Sequence, residues 1–93
     1  MILNFKDRDT ERIFQRIHVQ RFSVQVQRAA LRKLLILDAA DRLADLTIPP
    51  GNRLEALSGN RKGQHSIRIN DQWRICFQWT GSDAEEVEIT DYH

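Results

Sequence analysis

The chain has 93 residues, 41% of them hydrophobic and 29% charged, with one cysteine. That composition describes a single globular domain, residues 1–93. It excludes a disordered segment, and one cysteine excludes an internal disulfide framework. The net charge of +1 hides a strong asymmetry: residues 6–33 carry +5, residues 53–74 carry +3 and residues 83–93 carry −5. Two basic regions on a nearly neutral chain raise the expectation of a polyanionic partner. The alternative is solvated surface charge balanced by the acidic end.

The opening "MILNFKDRDTER" turns charged after five residues and has no apolar core of a signal peptide. The longest strongly apolar run, "LLILDAA", is too short to cross a bilayer. A soluble cytoplasmic protein with no membrane partner is expected.

"ILNF" reads as a short first strand ended by "KDRD". Asp9 or Thr10 can cap a helix over residues 10–17, with Ile13, Phe14 and Ile17 at helical spacing. His18 to Phe22 forms a connector. Ser23 is a second N-cap candidate, and residues 24–46 contain no Gly or Pro. That stretch predicts a long helix with Leu31, Leu34 and Leu35 inward and a break near Ala44 to Leu46. Arg28 and Arg32 lie four apart on another part of its surface. "IPPGN" ends it, because two prolines cannot continue a helix.

The period then changes to two. "RLEAL", "QHSIRI", "QWRICFQW" and "AEEVEIT" predict an antiparallel meander of about four strands. The expected class is α+β, in the order β-α-α-β-β-β-β. A three-residue loop, Asn70 to Gln72, would pair Ile67 with Ile75 and put His65, Ile67, Ile69, Trp73, Ile75, Phe77 and Trp79 on one face. Arg68 then lies beside Arg74 on the other face. Two adjacent arginines in mid-sheet repel, so a carboxylate or a bound anion is expected between them. The alternative is that both reach the acidic last strand.

His18, His65 and His93 are scattered, and no Cys/His spacing resembles a zinc site, so no metal or cofactor is expected. Cys76 next to Arg74 could be activated, but a buried structural thiol fits its mid-strand position better. "SGNRKG" can cradle phosphate but lacks the Walker spacing. What remains is Arg61, Lys62, Arg68 and Arg74 with the terminal Asp91-Tyr92-His93. RNA cleavage needs a base for the 2′-hydroxyl, a cation for the phosphorane and an acid for the leaving 5′-oxygen, and these residue types suffice.

The stretch "PPGNRLEALSGNRKGQHSIRINDQWRICFQW…VEITDYH" resembles the HigB branch of the RelE-like toxins, the plasmid-maintenance killer protein family. The likeness is strong over residues 49–93. In the N-terminal half it lies in layout, including "ALRKLLILDAA". The resemblance implies a RelE-like fold with two N-terminal helices on one face of a small, mostly antiparallel sheet. It also implies a toxin of a type II toxin-antitoxin system, an endoribonuclease that cuts mRNA in the ribosomal A site. A cognate HigA-like helix-turn-helix antitoxin would be the partner, and operator DNA would be reached only through it.

By the same resemblance Arg74 binds the scissile phosphate, and Asp91, Tyr92 and His93 contribute to catalysis, with His93 the acid/base. Arg53, Arg61, Lys62 and Arg68 are expected to hold RNA. Arg12, Arg16, Arg28 and Arg32 are expected to meet ribosomal RNA. Some family members carry a catalytic histidine where this chain has Glu55, and a catalytic lysine where it has Ser58. Glu55 can still take a proton, but Ser58 brings no charge. These departures imply a tempered nuclease, with Lys62 or Arg61 as replacement cation. The competing reading is a toxin-fold module that occupies the ribosome, or acts with its antitoxin in autoregulation, without cutting. A repressor acting alone is poorer, because no helix-turn-helix pattern appears.

Strict alternation from Val87 and Ile89 would send Tyr92 and His93 to opposite faces. The last strand must therefore bend or end after Thr90 for both to reach one phosphate. The free carboxylate of His93 lies within reach of its own imidazole and should favour its protonated form.

Overall fold

The computed structural model describes residues 1–91. Two helices, α1 (Arg8–Phe14) and α2 (Val24–Ala39), precede strands β1 (Glu55–Ala56), β2 (Gln64–Arg68), β3 (Arg74–Trp79) and β4 (Ala84–Thr90). The strands form one antiparallel sheet in the order β1-β2-β3-β4. The helices pack on one face of it, which is the expected α+β arrangement.

The first expected strand is not an independent strand. Residues 1–6 run parallel along the outer edge of β4 through isolated bridges, Ile2 to Ala84 and Phe5 to Val87. Between them Asn4 turns its side chain in, and its Oδ1 accepts from the Glu86 N–H at 2.7 Å. Glu86 has φ 52°, a bulge in the left-handed region. The bulge lets Ala84 and Val87, three residues apart, both face the core. Pairing with residues 1–6 also covers what would be an exposed sheet edge.

α1 starts two residues earlier than expected, because Asp7 is its cap. The Asp7 carboxylate accepts from the Thr10 N–H at 3.0 Å and the Thr10 hydroxyl at 2.6 Å. Thr10 is fully buried, and its Oγ1 accepts in turn from the Ile89 N–H at 3.0 Å. One hydroxyl thus ties the start of α1 to β4.

The connector from His18 to Phe22 carries core: Val19 and Phe22 are both buried. Ser23 caps α2 as expected, accepting from Val26 N–H. One turn in, Gln27 accepts from the Val19 N–H and donates to the Val19 and Phe22 carbonyls, each at 2.9 Å. That anchor sets the rotation of α2. Ala30, Leu34 and Leu37 face the sheet rather than Leu31, Leu34 and Leu35, and Leu35 is 40% exposed. Each large apolar side chain buried in this stripe contributes roughly 1.5–3 kcal/mol.

α2 also ends sooner than expected, at Ala39. The Asp45 carboxylate accepts from the Asp41 and Arg42 N–H groups, both at 3.0 Å, and offers them partners outside a helix. Those bonds, Arg42 first, hold its carboxyl below the usual carboxylate range. A 3-10 turn over Leu43–Thr47 buries Leu46. Leu54 and Leu57 flank a β1 of only two residues. Asn52 is fully buried; its amide donates to the Leu46 and Ile48 carbonyls at 3.2 Å, and its Oδ1 accepts from Lys33 Nζ. The Lys33 amine is held below its usual pKa by burial first, then by Arg32 and Arg68.

The central hairpin has the expected register. Ile67 faces Ile75 and Arg68 faces Arg74, closed by Asn70–Gln72, with Asn70 Oδ1 accepting from the Gln72 and Trp73 N–H groups. Trp73 meets Phe22 edge-on at 4.9 Å.

Candidate active site

The face of the sheet away from the helices carries polar residues in rows set by the register. One row is Glu55, Ser66, Cys76 and Glu88; the next is Arg68, Arg74 and Thr90. Alternation predicts these side chains, but not their burial. Ser66, Arg74 and Cys76 are all buried, Arg74 to 7% exposure.

Arg74 is the best-fixed cation of the described residues. Its Nε donates to Ser66 Oγ at 2.8 Å. Its Nη2 donates to the Arg53 carbonyl at 2.6 Å and the Ser66 carbonyl at 3.4 Å. Among the described residues its carboxylate partner is Glu55, with Oε1 at 3.9 Å on a half-exposed side chain. Nη1 has no acceptor among the described residues. A cation this buried needs compensation, and uncharged oxygens with one distant carboxylate leave capacity for an anion.

Arg53 reaches this site with its carbonyl while its side chain is exposed. It adopts the left-handed conformation (φ 45°, ψ 57°) directly after the Pro50–Asn52 turn. Asn52, pinned from inside, therefore aims the Arg53 carbonyl at Arg74. Ser66 and Asn52 are the site residues that sequence reasoning missed. The alternation places Ser66 on the right face, whereas nothing in the sequence marks Asn52.

No carboxylate pairs with both Arg68 and Arg74 among the described residues. Arg68 pairs instead with Asp71, in the hairpin loop. The alternative, pairing with the acidic last strand, is not found either, because β4 lies beyond β3 from Arg68. Glu88 on β4 serves other cations. Its Oε1 meets Arg61 Nη2 at 2.8 Å and its Oε2 meets Lys6 Nζ at 3.4 Å.

"SGNRKG" forms a 3-10 turn, Gly59–Arg61, that opens on left-handed Gly59 (φ 62°) and is followed by left-handed Gly63 (φ 94°). This turn folds Arg61 back over the sheet, where Nη1 donates to Gln64 Oε1 at 3.1 Å. Lys62 points to solvent. Glu55, Ala56, Leu57, Ser58 and Arg61 line a cavity of about 250 Å³. Of the two candidate replacement cations, Arg61 is the one placed beside Ser58 and Glu55.

Cys76 lies under these charged side chains, and burial pushes its thiol up to about 11. Its burial and raised thiol fit the structural role expected of it. His65 is half-buried on the helix side, stacked near Phe77 at 6.3 Å, with Nδ1 buried and unpartnered among the described residues.

β4 ends at Thr90, the residue after which the strand must bend or end if Tyr92 and His93 are to reach one phosphate. Asp91 is exposed, and Gln72 Nε2 reaches its Oδ2 at 3.4 Å. Tyr92 and His93, the two terminal candidates, lie outside the described residues. Arg12, Arg16, Arg28 and Arg32 are all exposed, on or directly after the two helices.

Comparison with known proteins shows the family. A family model described as the RelE-like toxin of type II toxin-antitoxin system HigB matches residues 3–93. A protein of Vibrio cholerae serotype O1 named Toxin HigB-1 is 49% identical over 85 residues, 90% of each chain. A Proteus vulgaris protein named Endoribonuclease HigB is 29% identical over 93 residues, all of each chain. The chain therefore belongs to the HigB-like family, RelE-like toxins of type II toxin-antitoxin systems.

Proposed function

We propose that this toxin is an mRNA endoribonuclease that acts on the ribosome and cuts the codon in the A site, so arresting translation. The observation that carries the reading is Arg74. It is buried, fixed by Ser66 and the Arg53 carbonyl, and has one guanidinium nitrogen unengaged among the described residues. A relative aligned over its whole length bears the name of an endoribonuclease.

In this reading the 2′-oxygen attacks the adjacent phosphorus and the 5′-oxygen of the next nucleotide leaves. The products are a 2′,3′-cyclic phosphate and a free 5′-hydroxyl. Arg74 stabilises charge on the phosphorane, and His93 handles protons as acid/base with Asp91 and Tyr92 beside it. Glu55, within 4 Å of Arg74, can take a proton. Arg61, Arg68, Lys62 and Arg53 hold the RNA, and Ser58 lies at the cavity wall. Side-chain acid/base chemistry suffices for this reaction. Arg12, Arg16, Arg28 and Arg32 face ribosomal RNA. The partner is a HigA-like helix-turn-helix antitoxin, through which operator DNA is reached. The protein works in the cytoplasm, where ribosomes are.

Mapping RNA 5′ ends after induction of the wild type and of His93→Ala tests this. New ends at translated codons that vanish in the variant are expected. Growth arrest without new ends would replace nuclease action by ribosome occupancy.

A further inference from the structure

We infer that Lys33 of α2 is a positioning residue for Arg74, acting through Asn52 and the backbone carbonyl of Arg53. The inference rests on the reading of Arg74 as the cation at the scissile phosphate, and adds to that site a residue from the helix layer.

Lys33 sits in the inward register of α2. Ala30, Lys33, Leu34 and Leu37 are spaced i, i+3, i+4 and i+7, which is one face of a helix. Ala30, Leu34 and Leu37 are fully buried, and Lys33 is half-buried beside them. An apolar residue ordinarily fills such a place. Burial first, then Arg32 and Arg68, hold the Lys33 amine below its usual pKa, so its surroundings disfavour a charged amine. No carboxylate pairs with it among the described residues. What it meets is Asn52 Oδ1.

Asn52 is fully buried, and its side chain is engaged at both ends. The amide nitrogen donates to the Leu46 and Ile48 carbonyls, and the amide oxygen accepts from Lys33. Without the amine, that oxygen becomes a buried acceptor with no donor among the described residues.

The amide holds a strained link. Arg53 follows Asn52 directly and takes φ 45°, ψ 57°. A residue with a side chain keeps this left-handed backbone only where its surroundings over-determine it. Around it, the Asn52 N–H donates to the Pro49 carbonyl at 2.9 Å and the Arg53 N–H donates to the Pro50 carbonyl at 3.1 Å. The Arg53 carbonyl then accepts from Arg74 Nη2 at 2.6 Å. That carbonyl meets the guanidinium only while residues 50–53 keep this shape. The contacts thus run from amine to amide, turn, carbonyl and guanidinium, and cross from α2 to the far face of the sheet. A lysine that only stabilised the loop would leave Arg74 unmoved, and this difference can be measured.

The test uses the full-length toxin with Lys33→Met, which keeps the aliphatic stem and removes the amine. Lys33→Gln, too short to reach Asn52, serves if the first variant does not fold. Thermal unfolding fixes a temperature at which the variant is folded. Heteronuclear NMR of the toxin alone then follows exchange of the Arg74 Nε–H with water. Exchange about fivefold faster or more is expected in the variant. Unchanged exchange would overturn the proposal, whether or not the toxin cuts RNA. On programmed ribosomes, the single-turnover cleavage rate at saturation should fall about fivefold to tenfold, with the half-saturating ribosome concentration unchanged. In an Arg74→Gln background the same substitution should change the rate by less than about twofold, because no guanidinium is left to aim. Equal losses in the two backgrounds would make Lys33 a general support of the fold and overturn the proposal. A loss confined to ribosome affinity would make it a ribosome contact and overturn it too. A wild type that leaves ribosome-bound mRNA uncut would sink the nuclease reading alone, and the exchange measurement would still decide the role of Lys33.

Discussion

Ser66 on β2 accepts a 2.8 Å hydrogen bond from Nε of Arg74 on β3, across the central strand pair. The two are not direct partners in the register: Arg74 faces Arg68 and Ser66 faces Cys76. The guanidinium therefore leans diagonally, away from its like-charged neighbour and toward the Arg53 carbonyl. Ser66→Ala should loosen that lean without removing the cation. Cleavage on programmed ribosomes is expected to fall about tenfold, with stability lowered by about 1 kcal/mol. Arg74→Gln should cost about a hundredfold or more, as for loss of a transition-state cation. Equal losses for both variants would show that Ser66 does more than orient Arg74.

Arg61 and Lys62 are adjacent in sequence and separate in space. Arg61 is held over the sheet by Glu88 and Gln64, while Lys62 is in solvent. If a loop cation compensates for Ser58, Arg61→Ala should depress cleavage nearly as much as His93→Ala. Lys62→Ala should stay within about twofold of wild type. Single-turnover rates at fixed ribosome concentration separate the two.

Asn52→Ala should be the most destabilising of these changes. It removes a buried side chain that satisfies two carbonyls and partners Lys33. The cost expected is roughly 1–3 kcal/mol or somewhat more, read from urea unfolding. Because Asn52 also sets the Arg53 carbonyl, residual activity at a temperature where the variant is folded should still be reduced.

Cys76 predicts a pH effect with a definite sign. Its thiol is raised from 9.0 to about 11 in the fold. Between those values the folded chain binds more protons than the unfolded chain, so this group lowers stability as pH rises from about 9 toward 11. Below pH 9 it contributes no slope. At pH 8 a thiol reagent should label the native protein slowly and the unfolded protein fast. Rapid native labelling would contradict burial beneath Arg74, Arg61 and Glu88.

Much of the site was legible in the chain itself. The period-two pattern around "IRINDQWRICF" leaves one register that collects the apolar residues on one face, so it places Arg68 beside Arg74. Propensity located both helices, and capping located the start of α2 at Ser23. Helix lengths and rotation were not legible, because they depend on bonds from afar. Asp7 rather than Asp9 caps α1 since Thr10 is committed to Ile89, and Gln27 turns α2 by gripping Val19 and Phe22.

The sequence by itself determined the class, the strand register and the chemistry available: arginines, a glutamate and a terminal Asp-Tyr-His. Only the tertiary structure decided which of those groups are held and by what. Arg74 is fixed by a serine and a backbone carbonyl, Arg61 by Glu88 from 27 positions away, and Arg68 by its own loop. Local patterns set which face a side chain takes, since that needs only the backbone period. Partners across the sheet are set by strand order and by a left-handed turn, which no local pattern encodes.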